Sequence, residues 1–231
     1  MSESMNDEFD RISKSLKTFE NARQFTITES KDILNECRKS INASHSANSD
    51  LPGPQQLIRQ EKMFKIAQEK AEKGASLLKK LQKRLKDDYG KSWKQDLRDY
   101  IENPEQEIVE AFSLLAILKQ QKIPTREISF RMKDPDSYQM IKNTVKVSEG
   151  AYIFGLLDCV GELKRAVIDS LNRTDSAFAN ELYKIMKEIF LKLEAFTQYS
   201  NSVNDLKPKI DSARYLIADV RQLLNENKGG K

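Results

Sequence analysis

Two stretches of this sequence are apolar almost all the way round a helix and yet carry carboxylates. Ile108-Val109-Glu110-Ala111-Phe112-Ser113-Leu114-Leu115-Ala116-Ile117-Leu118 holds Glu110, with Glu107 one turn before it. Gly150-Ala151-Tyr152-Ile153-Phe154-Gly155-Leu156-Leu157-Asp158-Cys159-Val160-Gly161 has Asp158 as its one charge, with Glu162 one turn after it. A helix that is hydrophobic on all sides is normally buried, so both stretches need a shell of other elements around them. An unpaired carboxylate inside such a shell costs several kcal/mol or gives up its charge. A bound divalent cation is the most economical reason for four acids placed this way.

The rest of the chain supplies a helical shell. Gly and Pro are scarce (8 and 6), and Lys, Glu, Leu and Ala are abundant, which is the composition of an all-α protein. A length of 231 residues with 39% hydrophobic residues suffices for one sizeable domain spanning 1–231. The two cysteines, Cys37 and Cys159, suggest no disulfide framework and fit a reducing, cytoplasmic compartment. The N-terminus is acidic and polar, unlike a signal peptide, and no apolar run is long enough to span a membrane. The net charge of +4 permits nucleic-acid binding without arguing for it.

Helical periodicity predicts a first helix over 4–42, with Phe9, Ile12, Leu16 and Phe19 on one stripe that Ile33, Cys37 and Ile41 continue. Residues 43–54, which include His45, read as a loop. A second helix over 55–88 places Phe64, Ala67, Ala71, Ala75, Leu78, Leu81 and Leu85 on one face, so these two long helices form a hairpin. Tyr89-Gly90 ends it, and Ser92 can cap the next helix. Asn103-Pro104 marks a kink or a restart before the Glu107/Glu110 helix, which runs to about 122. Pro124 to Glu127 starts a short helical turn, and 131–137 is a loop. Further helices are expected over 148–172, 176–199 and 208–225, with no strand of clean period-two alternation. The lysines and glycines at the C-terminus read as frayed.

Glu107 and Glu110 are three apart, and Asp158 and Glu162 four apart, so each pair leaves one side of its helix. Two such helices packed antiparallel would bring four carboxylates to one point. All-oxygen ligation suits Mg2+ or Mn2+. The single histidine, His45, removes Glu-x-x-His di-iron chemistry and most catalytic zinc sites. Carboxylate-held Mg2+ beside a basic surface points to phosphoester or phosphoanhydride chemistry. Acid pairs at helical spacing are also common on solvated faces. Lys164, Arg165 and Asp169 share the segment of Glu162, and Glu107 suits a helix N-terminus. Glu110 and Asp158 have no such explanation.

Two basic segments are candidates for phosphate contact. Lys79 to Lys86 contains no acid, although such a run is more often a solvated helix face. Lys91, Trp93, Lys94 and Arg98 combine cations with a ring able to stack on a base, and Trp93 reads equally as a core or subunit-contact residue.

The run Gly155-x-x-Asp158-x-x-Gly161-Glu162-Leu163-x-Arg165, with Asp169-Ser170 after it, resembles the translin family, and within it the catalytic translin-associated factor X type or a prokaryotic or archaeal translin-like protein. Glu107-x-x-Glu110-Ala111, Trp93-Lys94 and Ile123-Pro124-Thr125-Arg126-Glu127 extend the resemblance from about Trp93 to Leu224. The first ninety residues match in helical character alone. The resemblance implies an antiparallel bundle of about seven helices that assembles into a closed homo-oligomer, an octamer-like barrel. It implies a Mg2+-dependent endoribonuclease that takes single-stranded RNA, or single-stranded DNA, into the interior. Glu107, Glu110, Asp158 and Glu162 would be both metal ligands and catalytic residues. The family's basic stretch carries histidines, whereas Lys91, Ser92, Trp93 and Lys94 stand here. Two other functions remain open at this level: a non-catalytic single-stranded RNA- or DNA-binding scaffold, and an all-α nucleotide pyrophosphohydrolase. The four-residue step from Asp158 to Glu162 counts against the latter, whose second motif is usually Glu-x-x-Asp.

Overall fold

The computed structural model describes residues 3–47, 54–90, 92–133 and 139–229. Seven α-helices and one two-stranded hairpin make up these residues: α1 (Glu3–Ala47), α2 (Pro54–Tyr89), α3 (Trp93–Asp96), α4 (Arg98–Leu118), β1 (Glu127–Lys133), β2 (Met140–Lys146), α5 (Glu149–Asn172), α6 (Ser176–Glu194) and α7 (Leu206–Gly229), with a 3-10 turn at Ala195–Tyr199. The architecture is mainly all-α, as composition and periodicity indicate.

Helices α1 and α2 form the expected antiparallel hairpin. Ser40 donates to the Ala67 carbonyl at 2.8 Å, and Glu36 lies 3.3 Å from both Lys70 and Lys73. The face of α2 read from the sequence is the buried one, with Ala67, Ala71, Ala75, Leu78, Leu81 and Leu85 at most 2% exposed. Gly90 stops α2 with φ +77 and donates to the Lys86 carbonyl, the left-handed stop that glycine adopts most readily. Helix α1 is longer than the sequence suggests. It continues to Ala47, so His45 lies in a helix and not in a loop. Residues 48–53 of the predicted loop lie outside the described residues.

The apolar stripe of α1 divides in two. Ile33, Cys37 and Ile41 are buried against α2 and α4, whereas Phe9, Ile12, Leu16 and Phe19 are exposed. The reason is length. The end of α2 meets α1 near Ala22, where Asp88 and Tyr89 line a cleft with Thr18, Phe19 and Ala22, and α1 runs on beyond it.

Helix α4 passes through Pro104 without a break. The interruption falls earlier, at Leu97, where the backbone leaves the helical region between α3 and α4. The most visible departure from expectation is the hairpin. Pro124 starts no helical turn, and 131–133 belong to β1, paired antiparallel with β2 from Glu127↔Lys146 to Lys133↔Met140. Ile128 and Phe130 point inward and are at most 2% exposed, while Glu127, Ser129 and Arg131 face out. That alternation is present in Glu-Ile-Ser-Phe-Arg-Met-Lys, and the Asp-Pro-Asp sequence after it masks the strand in a reading by composition; residues 134–137 of the predicted loop lie outside the described residues.

The hairpin matters because it carries the chain back to the start of α4 before α5 begins. Glu105 accepts from the Ser148 amide at 2.8 Å, and Ser148 caps α5 by accepting from the Ala151 amide. Further along, a Cβ on Gly155 would lie 2.6 Å from both the Gln106 carbonyl oxygen and Val109 Cβ. Helices α4 and α5 therefore run side by side in the same direction, not antiparallel. Gly155 lets their backbones approach more closely than any side chain would allow. At the far end of α5, Asp175 caps α6 by accepting from the Phe178 amide at 3.0 Å, so the Asn172–Asp175 turn stands where the sequence puts it. Helix α7 begins at Leu206 and continues to Gly229, into the segment expected to fray, of which residues 230–231 lie outside the described residues. No helix among the described residues is long and apolar enough to cross a membrane.

Candidate carboxylate site

The Gly155 crossing sets two acidic turns side by side. Glu107 and Glu110 follow the contact on α4, and Asp158 and Glu162 follow it on α5. Glu107, Glu110, Leu157, Asp158, Gly161 and Lys209 line a cleft of about 390 Å³, closed on its far side by α7. Glu162 stands beside this lining. All four acids are half-buried, none fully inside and none fully solvated.

The electrostatics show that the four act on one another. Burial pushes the Glu110 carboxyl up to about 8, and Glu107, Asp158 and Glu162 add to that shift in that order. Glu107 is also pushed up, by burial first. Arg38 of α1 draws it back, while Asp158 and Glu162 raise it further. Neither Glu107 nor Glu110 has a hydrogen bond or ion pair among the described residues. The other two acids are held. Lys209 of α7 donates to both oxygens of Asp158 at 2.6 and 2.7 Å, and its ammonium lies 5.2 Å from the centre of the Phe154 ring. His45 Nε2 lies 2.5 Å from Glu162 Oε2, and that hydrogen bond holds the Glu162 carboxyl below its ordinary range.

Among the described residues, no three His, Cys, Asp or Glu side chains are arranged to hold one ion as they stand. Two of the four acids are turned toward protein donors, which accounts for this. The chemistry of the set still fits a hard cation. The donors are all carboxylate oxygens, Glu107 and Glu110 have no hydrogen bond or ion pair among the described residues, and an ammonium already sits across both oxygens of Asp158.

Glu105 is a useful contrast. It is more buried than any of the four, at 4% exposure, but it accepts from the Gln82 amide and from Ser148 N–H. Its role is to tie α4 to the start of α5.

The basic positions fall elsewhere. Lys91 lies outside the described residues. Trp93 is 4% exposed and packs in the core with Leu97, so its ring offers no free face to a base. Lys94 and Arg98 line a separate cleft of about 350 Å³ with Arg126 and Lys146. Arg98 lies 3.8 Å from Glu102. In the run from Lys79 to Lys86, Lys80, Lys83 and Lys86 are solvated, Lys79 is bonded to Asn143, and Arg84 covers Phe25.

Sequence reasoning missed Lys209, Arg38 and His45. Lys209 stands beside Pro208 at the start of a helix where a lone lysine has no distinguishing context. His45 was hidden by its Ser- and Asn-rich surroundings, which resemble a loop. The usable clue was that it is the one histidine in the chain.

These features define a mainly α-helical protein with a shared carboxylate cleft between two helices that run in the same direction. The chain belongs to the Translin family, whose profile matches residues 21–224. An uncharacterised protein of Methanocaldococcus jannaschii is 31% identical over 119 residues, a match spanning 51% of this chain and 46% of that relative; the chain thus covers about half the relative's length. Solved structures share the fold. A chain of the AfC3PO–duplex RNA complex has a TM-score of 0.71 and 20% identity, covering 97% of this chain and 98% of that one. AfC3PO has a TM-score of 0.71 at 22% identity over the same shares. Apo-NeC3PO has 0.59 at 16%, covering 95% and 96%.

Proposed function

We propose that this chain is a divalent-cation-dependent endoribonuclease acting within a closed homo-oligomer. The observation that carries the reading is the convergence of Glu107, Glu110 and Asp158 on one cleft, with Glu162 beside it and Glu110 pushed up to about 8. A half-buried cluster of carboxylates that push one another's protonation up suits Mg2+ or Mn2+ held by these four residues. When bound, such an ion supplies Lewis acidity and an activated water for phosphodiester hydrolysis. The protein's own part is orientation. Helix α4 supplies two carboxylates with no direct partner among the described residues, α5 supplies two held by Lys209 and His45, and Lys209 sets a positive charge at the lining, where an RNA phosphate would be drawn.

Family membership supports RNA as the substrate, as does a structural relative described as a complex with duplex RNA. Single-stranded RNA is the form we favour, with single-stranded DNA as a second ligand. The assay uses both single-stranded and duplex RNA, with Mg2+, with Mn2+ and with EDTA. Wild-type protein is expected to cut in metal and not in EDTA. Glu110→Gln and Asp158→Asn are expected to lose on the order of a hundredfold or more in cleavage rate while binding RNA as before. Unchanged cleavage by both variants would sink the proposal. Metal-independent binding without turnover by the wild type would assign the chain instead to a binding scaffold, a reading favoured by the engagement of Asp158 and Glu162 with Lys209 and His45.

A further inference from the structure

We infer that His45 is a positioning residue for the carboxylate site, fixing the direction of Glu162; this rests on the reading of the four acids as one cation site. His45 sits near the C-terminal end of α1, and its side chain is only 4% exposed, so it touches solvent and substrate hardly at all. Its Nε2 donates to Glu162 Oε2 at 2.5 Å. Arg165 approaches the same oxygen at 3.9 Å. Glu162 Oε1 makes no hydrogen bond among the described residues. One oxygen is thus held from behind and the other is left uncommitted. That is how a ligating carboxylate is oriented by outer groups, whose loss typically weakens metal binding by about ten- to a hundredfold.

The other ring nitrogen defines the rest of the device. Nδ1 has no hydrogen-bond partner, although Asp169 Oδ2 lies 3.8 Å away. Asp169 is seven residues past Glu162, two turns along the same face of α5. His45 therefore lies between two carboxylates of one helix, reaching them from another helix. A purely structural cross-link between α1 and α5 would be satisfied by any packed side chain at this place. An orienting role needs a donor directed at Glu162.

The test measures Mn2+ binding by calorimetry on the assembled protein without RNA. It compares wild type, His45→Leu, His45→Gln and Asp158→Asn, with far-UV circular dichroism to confirm folding. His45→Leu keeps the bulk and removes the donor, and its Mn2+ affinity is expected to fall by roughly ten- to a hundredfold. His45→Gln restores an N–H in similar reach and is expected to stay within about threefold of wild type. If Asp158→Asn loses Mn2+ binding and His45→Leu keeps wild-type affinity, the inference about His45 fails and the site reading stands. If Asp158→Asn binds Mn2+ like wild type, the site reading itself fails. Should His45→Leu not fold, the decision passes to wild-type protein labelled with 15N-histidine, which contains one such residue. Saturating Mg2+ is expected to shift the His45 ring resonances, and unmoved resonances would overturn the proposal.

Discussion

Glu110 has the least support from its surroundings of the four acids. Its carboxyl is pushed up to about 8 by burial and by three neighbouring acids. A folded-state value above the ordinary 4.5 means that the native state holds this proton after the unfolded chain has released it. Stability from this group is present at low pH and is lost as pH rises from about 4.5 to about 8. Glu107 works in the same direction, and Glu162, held low by His45, in the opposite one. The informative quantity is therefore the difference between Glu110→Gln and wild type in EDTA. The melting temperature of the variant should exceed that of wild type by an amount that grows between about pH 5 and pH 8, to on the order of 10 °C. A difference independent of pH would show that Glu110 is not strained by its neighbours. Glu110 and Asp158 stood out in the sequence because a charge in an all-apolar helix violates the pattern around it, and Glu107 and Glu162 were joined to them by helical spacing and by the family resemblance. Lys209 and His45 were not, because each reaches the site from a distant helix. No spacing in a single sequence records a contact between residues 45 and 162 or 158 and 209.

At the scale of elements, the helices were legible from their 3.6-residue period, their caps and their stops. Ser148, Asp175 and Gly90 each do what their residue type suggests. The hairpin was missed, and with it the relative direction of α4 and α5. Two adjacent helices joined by a short turn pack antiparallel, whereas two joined through a returning ribbon can run the same way. Detecting β1 and β2 was thus the step needed to orient the two acidic helices. The free end of α1 raises a different point. Met5, Phe9, Ile12, Leu16 and Phe19 are spaced 4-3-4-3 and are all exposed, a narrow seam of the kind that packs against another helix. If the chain assembles as proposed, a second copy would cover this seam. A charge within it should prevent that packing. Leu16→Glu is expected to lower the assembled mass measured by light scattering after size exclusion, with the helical content unchanged. A wild-type mass for this variant would place the seam outside the subunit contacts.

At the scale of the molecule, the fold lines one cleft with α4, α5 and α7 and sets α1 beside it. Helices α4 and α5 supply the acids, α7 lines the cleft with Lys209, and α1 brings Arg38 and His45 within reach of Glu107 and Glu162. The core around the α4–α5 crossing is close-packed, as Gly155 requires, so the acids are fixed relative to one another by backbone geometry more than by side-chain choice. The basic cleft beside Lys94, Arg98, Arg126 and Lys146 lies near the starts of the same two helices. The proposed nuclease thus has its chemistry midway along α4 and α5. The most direct check on the central claim is an anomalous diffraction map of crystals soaked in Mn2+. A Mn2+ peak bounded by carboxylate oxygens of Glu107, Glu110, Asp158 and Glu162 is expected, with Lys209 withdrawn from Asp158. Mn2+ found only elsewhere in crystals of protein that cleaves RNA would contradict the account.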